Sequence, residues 1–179
     1  MMKMILLTGA TVIVGAIVVI AVLALTKPDT FRVQRTIVIN AGADKIFPLI
    51  DDFHQWSRWS PYEDKDPAMT RTFGATTKGR GATYAWDGNG QVGAGDMTIT
   101  ESTPSSRVAI RLNMVKPISA SNDVIFALAP QGPATQLTWA MQGPAPFISK
   151  VMQVFINMDK MVGGDFETGL AKLKSVAEK

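Results

Sequence analysis

The chain has no cysteine and a single histidine, His54, among 179 residues. The first absence excludes disulfides, thiol nucleophiles and cysteine-ligated metals, and it leaves the redox compartment open. The second excludes a histidine-rich metal site. No metal and no cofactor is therefore expected. Charge of either sign is sparse, with 18 Lys and Arg against 15 Asp and Glu. The basic residues are scattered and never interleaved with aromatics, so nucleic acid is not an expected partner. No internal repeat and no low-complexity tract occurs.

Charge disappears altogether over residues 4–26, MILLTGATVIVGAIVVIAVLALT. As a helix this run would reach roughly 34 Å, against a hydrocarbon core of about 30 Å. Residues 1–29 are thus expected to form a single-pass transmembrane anchor and linker. The run exceeds the h-region of a signal peptide and ends without an A-x-A site, which favours an uncleaved anchor. Lys3 lies on one side, and Lys27, Arg32 and Arg35 on the other. That balance tilts the following domain toward the cytoplasm by the positive-inside rule. The same layout serves a domain exported behind its anchor, and the side stays open.

Residues 30–179 are long enough to bury a true core. FRVQRTIVI at 31–39 alternates and then turns β-branched, as a strand does. Asn40 offers an N-cap region for a helix over 43–53, shortened or kinked by Pro48. A second short helix is expected over 54–59, closed by Ser60-Pro61. From residue 69 the pattern changes to strands near 69–74, 80–88, 91–102, 107–115, 121–129 and 135–143. Gly/Pro/Asn turns separate them, with Asp87-Gly88-Asn89-Gly90 as a hairpin signal. Residues 147–179 then repeat apolar positions at Val151, Phe155, Met158, Val162, Phe166, Leu170 and Leu173, an amphipathic helix. Gly163-Gly164 interrupts it and predicts a bend or a close approach to another element. A curled antiparallel sheet with one long helix across its concave face buries that stripe.

This order, together with FPLIDDFHQWSRWSP at 47–61, the hairpin run Gly79 to Gly90 and the final Trp139-Ala-Met141 strand, resembles the START-like superfamily of helix-grip domains. These are also called SRPBCC or polyketide cyclase/dehydrase-like proteins, and the resemblance covers nearly all of residues 31–178. Within it the chain looks most like bacterial members with an N-terminal membrane segment. The resemblance implies an α+β helix-grip fold, a seven-stranded curved antiparallel sheet around a long C-terminal helix. It further implies a deep apolar cavity between that helix and the sheet, used in relatives for lipids, sterols, polyketides or hormones. A shared catalytic motif is lacking, so no catalytic residue carries over, and fold alone does not settle function.

Tyr84 and Trp86 share a strand face, as do Leu137, Trp139 and Met141. With Trp56 and Trp59 they supply rigid surfaces suited to a small-molecule pocket. Arg111, Phe155, Met158 and Val162 complete the expected cavity wall. Each aromatic taken singly reads equally well as core. His54 is a weak candidate for acid/base work because no partner is evident. Asp51 and Asp52 read better as caps of the next helix than as a carboxylate site. Asp159 and Asp165, inside an apolar helix, would need a partner if they faced the cavity, with Arg111 or Arg80 available. Three roles follow: a membrane-anchored binder of a hydrophobic small molecule or lipid, a cyclase/dehydratase-type enzyme acting through His54 or Asp159, and a protein-binding module like the chaperone-activating relatives. The anchored binder is the favoured reading.

Overall fold

Alternating apolar positions organise the sheet of this protein, whose computed structural model describes residues 2–179, with side-chain surroundings from residue 13 onward. Seven antiparallel strands run β1 Thr30–Ile39, β2 Thr70–Phe73, β3 Thr83–Asp87, β4 Ala94–Thr103, β5 Arg107–Lys116, β6 Ala120–Gln131 and β7 Ala134–Pro144. Their order in space is β1-β7-β6-β5-β4-β3-β2. The meander from β2 to β7 closes with the first strand paired along the last. Every second residue points inward: Val108 and Ile110, then Val124, Phe126 and Leu128, then Leu137 and Trp139 are all buried. Register shifts in β4, between Ala94 and Gly95 and between Ile99 and Glu101, add local bend and twist to the sheet.

Helix α2 (Ala43–Asp51) runs through Pro48 and ends three residues later, burying Ile46, Leu49 and Ile50. Its N-cap is Gly42 with no side-chain cap, so Asn40 does not play the expected part. A 3-10 segment, Phe53–Arg58, follows and is capped by Asp52, whose carboxylate accepts the His54 N–H at 3.0 Å. Ser60-Pro61, read from sequence as a terminator, instead opens a further helix, α3 (Pro61–Lys65). Proline suits a first helical position because its missing N–H has no partner there anyway.

The C-terminal helix departs from the expected single rod. It is divided into α4 (Phe147–Phe155) and α5 (Met158–Ala177) by two extended residues, Ile156 and Asn157. Asn157 caps α5 by accepting the Lys160 N–H at 2.9 Å, so the break falls where a capping side chain is available. Gly163-Gly164, where a bend was one expectation, stays inside α5. Gly163 is instead a close approach: a Cβ there would lie 2.0 Å from Arg35 Nη2. Gly169 does the same for the Trp139 ring and Pro61, at 2.8 and 2.9 Å.

Helix α1 (Met2–Leu25) precedes the sheet, packs along α4 and buries Ala24 completely. The link between α1 and β1 is tied to α4: the Lys150 ammonium meets Asp29 at 2.5 Å, and the Ala145 N–H donates to the Asp29 carbonyl at 2.7 Å. Among the described residues no helix is long and apolar enough to cross a membrane. Residues 4–12 of the expected span lie outside the residues whose side chains are described.

The two kinds of glycine in α5 separate cleanly in a stability measurement. Gly169→Val forces a branched side chain against an indole and a proline ring and lowers unfolding stability by about 1–3 kcal/mol. Gly164→Ala meets open space and raises it by about 0.5–1 kcal/mol through helix propensity. Urea titrations of both variants beside the parent chain check this pair.

Candidate functional site

Rings fill the region between α5 and the middle of the sheet. The Trp56 indole N–H donates to the Ile50 carbonyl at 2.9 Å, and that of Trp59 to Leu49 at 2.7 Å, which fixes the 3-10 segment under α2. Trp59 lies edge-on to Trp139 with centroids 5.6 Å apart, and Trp139 stacks on Phe166 of α5 at 4.1 Å and 11°. Phe126 touches Trp56, Trp59 and Trp139. This is the place the family resemblance assigns to a deep cavity, and here it is packed ring on ring. Trp139 Nε1 is buried there without a hydrogen-bond partner, at a desolvation cost of about 1–3 kcal/mol.

A polar group borders this aromatic block at α3. The Tyr84 hydroxyl donates to Glu63 at 3.4 Å, and Glu63 is held by Arg71 at 2.6 Å. Phe73 and Trp86 cover the Tyr84 ring on either side. Burial, reinforced by the Glu63 charge, pushes the Tyr84 phenol above its ordinary range. Tyr62 is raised likewise by burial and then by Asp165, which in turn pairs with Lys65 at 2.6 Å. Both phenols therefore stay protonated through neutral pH, and Tyr84 serves as a hydrogen-bond donor to Glu63. Glu63 is already engaged by a guanidinium, so the group as built donates protons to acceptors and offers no free base.

An open cleft of about 540 Å³ lies elsewhere, between the start of β1 and the α4–α5 junction. Phe31, Val33, Val154, Phe155, Ile156 and Met158 supply its apolar walls. Lys27, Thr30, Arg32, Gln153, Asn157 and Asp159 add polar groups to its lining. Asp159 is bound by Arg35, whose guanidinium spans to both Asp159 at 3.0 Å and Glu167 at 2.6 Å. The Arg35 hydrogen bond holds the Asp159 carboxyl below its usual value.

The residues singled out by sequence fall into three places. Trp56, Trp59, Tyr84, Trp139 and Val162 are buried in the core, with Trp86 and Met141 half-buried against it. Phe155 and Met158 line the cleft, with Phe155 68% exposed. Arg111 belongs to neither. It sits on the opposite face of the sheet from Ile110 and pairs with Asp123 across β5 and β6 at 3.1 Å. The partners expected for the α5 aspartates are corrected accordingly: Asp159 takes Arg35 and Asp165 takes Lys65, because β1 and α3, rather than β5, flank that helix. His54 is exposed, its ring 4.2 Å from Phe73. Lys27, Phe31, Arg32, Arg35, Glu63 and Arg71 were missed. The visible signal for Lys27 and Arg32 was their place just after the apolar run; Phe31 gave none.

Residues 30–178 match the family described as polyketide cyclase / dehydrase and lipid transport, and the chain belongs to that family. No curated protein matches it. Solved structures share the fold at low identity. A Chromobacterium violaceum protein is 13% identical with a TM-score of 0.59, covering 86% of this chain and 99% of its own. The Aha1 dimer from Colwellia psychrerythraea is 17% identical with a TM-score of 0.57, covering 83% and 96%. StfQ, the di-domain ARO/CYC of the steffimycin biosynthetic pathway, is 7% identical with a TM-score of 0.60, covering 83% of this chain and 51% of its own.

Arg35 ties β1 to α5 through carboxylates, which gives the domain an acid limb. The folded-state pKa of Asp159 is depressed, so its contribution is fully present above the unfolded value near 3.9. It is lost as pH falls through the folded value. Asp159→Asn should lower the Tm at pH 7, and the gap to the parent should close on acidification below about pH 4. Thermal melts of both proteins across pH read that convergence.

Proposed function

We propose that the chain is a membrane-anchored binding domain for a hydrophobic small molecule or lipid, taken up in the cleft between β1 and the α4–α5 junction. The cleft itself carries the proposal. Its volume of about 540 Å³ falls in the range of small-molecule sites, roughly 300–1,000 Å³, and its lining sets apolar side chains of β1 and the α4–α5 junction beside an at least equal share of polar groups. The lipid-transport half of the family description is in keeping with it. Anchoring would come from the uncharged run at residues 4–26, whose described part, from residue 13 onward, is by itself too short to cross a membrane. Ile13, Val14, Ile17, Val18, Val22 and Leu25 are exposed on it. Apolar side chains all round a helix suit surroundings of hydrocarbon.

A cyclase/dehydratase-type reaction is the second reading, favoured by the Tyr84–Glu63–Arg71 group beside the aromatic block and by the StfQ likeness in fold. In that reading Tyr84, protonated at neutral pH, would donate to a carbonyl oxygen of the substrate. Asp159 is a poor proton donor there, since Arg35 keeps it ionised.

Native mass spectrometry of the full chain, extracted from its host membrane in mild detergent, tests the binding role. The expected result is a mass increment from a co-purified apolar molecule. Thr30→Trp, which plugs the cleft mouth from an exposed position of β1, should abolish the increment while leaving the Tm within a degree or two. A parent chain that carries no adduct sinks the proposal.

A further inference from the structure

The α4–α5 junction exposes large apolar side chains with nothing in the fold to cover them. Phe155 and Met161 are 68% and 51% exposed. Phe147 and Ile148 stand out from the start of α4, and Ile156 from the break itself. Phe147, Ile148 and Phe155 belong to α4, which packs beside α1, and Ile156 and Met161 follow closely in the chain. Folding does not explain the pattern. A helix that covers a sheet keeps its large apolar residues inward, as α5 does with Val162, Phe166, Leu170 and Leu173.

The charge beside this patch has a definite sign. Asp159 and Glu167 share the single charge of Arg35, which leaves one negative charge in that group, and the nearby Asp29 is paired by Lys150. Lys27 and Arg32 remain, and among the described residues no carboxylate pairs with either. Arg32 is held in place by neutral amide oxygens, Gln142 at 2.6 Å and Gln34 at 2.9 Å, which orient the guanidinium and leave its charge uncompensated. Apolar residues next to uncompensated cations are the composition of a segment that lies in the headgroup layer of an anionic membrane. A protein partner of the same chemistry would have to present acidic groups around an apolar knob. A bilayer already adjoins this face once α1 is in it.

We propose that the α4–α5 junction seats on an anionic bilayer surface, with Phe155 and Ile156 entering the apolar layer and Lys27 and Arg32 taking headgroup phosphates. The inference rests on the anchoring read for α1 and adds a second, separable contact. Seated in this way, the cleft opens onto lipid, and an apolar ligand passes between bilayer and cleft without crossing water. The two extended residues between α4 and α5 are what let the apolar knob project from the helix axis.

The absence of cysteine makes the test direct. Phe155→Cys and Gln131→Cys in the full chain each carry one environment-sensitive fluorophore. Gln131 ends β6 beside the β6–β7 turn, near the Ile39 end of β1. Both are reconstituted into phosphatidylcholine vesicles with and without phosphatidylglycerol. The expected result is a blue shift at position 155, with quenching by spin-labelled lipid, in the anionic vesicles, while position 131 reports water. Lys27→Gln with Arg32→Gln should remove most of the shift, although the protein still floats with the vesicles. Flotation with a water-exposed probe at position 155 overturns the seating and leaves the anchor intact. A shift equal in both lipid mixtures overturns the role of the two cations. Failure to float at all removes the anchor and the seating together.

Discussion

The face-to-face contact of Trp139 with Phe166 is the interaction on which the remaining architecture turns. Burying two aromatic rings contributes several kcal/mol, and the stacked geometry adds about 0.5–1.5 kcal/mol. It also sets the height of α5 above the sheet, and that height is possible only because Gly169 has no side chain where the indole passes. Trp59 closes the contact from the side, hung on the Leu49 carbonyl. The 3-10 segment, α2 and α3 thereby take their positions from the same ring stack. What looks in sequence like a local Trp-x-x-Trp corner is the keystone of a helix-to-sheet contact more than eighty residues downstream.

Arg35 performs the equivalent service at the outer edge. A single guanidinium reaches two carboxylates of α5 and passes Gly163 to do so. The two glycines serve different neighbours, one an indole and one a cation, yet both let α5 lie closer to the sheet than a Cβ would permit. Because the middle of the grip is filled by rings, free volume is displaced toward the end where α5 has not yet begun. The cleft occurs there, at the junction with α4.

The antiparallel meander and the curl of the sheet were legible in sequence, because alternation of the kind seen in Val108-x-Ile110 has few other solutions; the pairing of β1 along β7 was not. The tryptophans were legible as a group, and their role was not. A pocket wall and a packed core demand the same residue types, and only the spacing between rings tells them apart. Helix ends were the weakest point. Ser60-Pro61 ends one element and starts another with the same chemistry, and the stop at Ile156 and Asn157 depends on a cap that reads as an ordinary polar residue. The ion pairs of Asp159 and Asp165 could not be assigned in advance, since many cations are available in sequence and only the packing of β1 and α3 beside α5 selects among them. Lys27 and Arg32 were visible as flanking charges of an apolar run, which hid their place at a cleft.

The Asp29 contact has a mechanical meaning. A linker of a few residues after a long helix would ordinarily act as a swivel, leaving the domain free to sample many angles. Here the one acidic residue of that linker is clamped twice, through its carboxylate by Lys150 and through its carbonyl by the Ala145 N–H. The swivel is replaced by a bracket. The bracket limits the angles that α4 and α1 can take, while the exposure of the Asp29 carboxylate keeps the restraint modest.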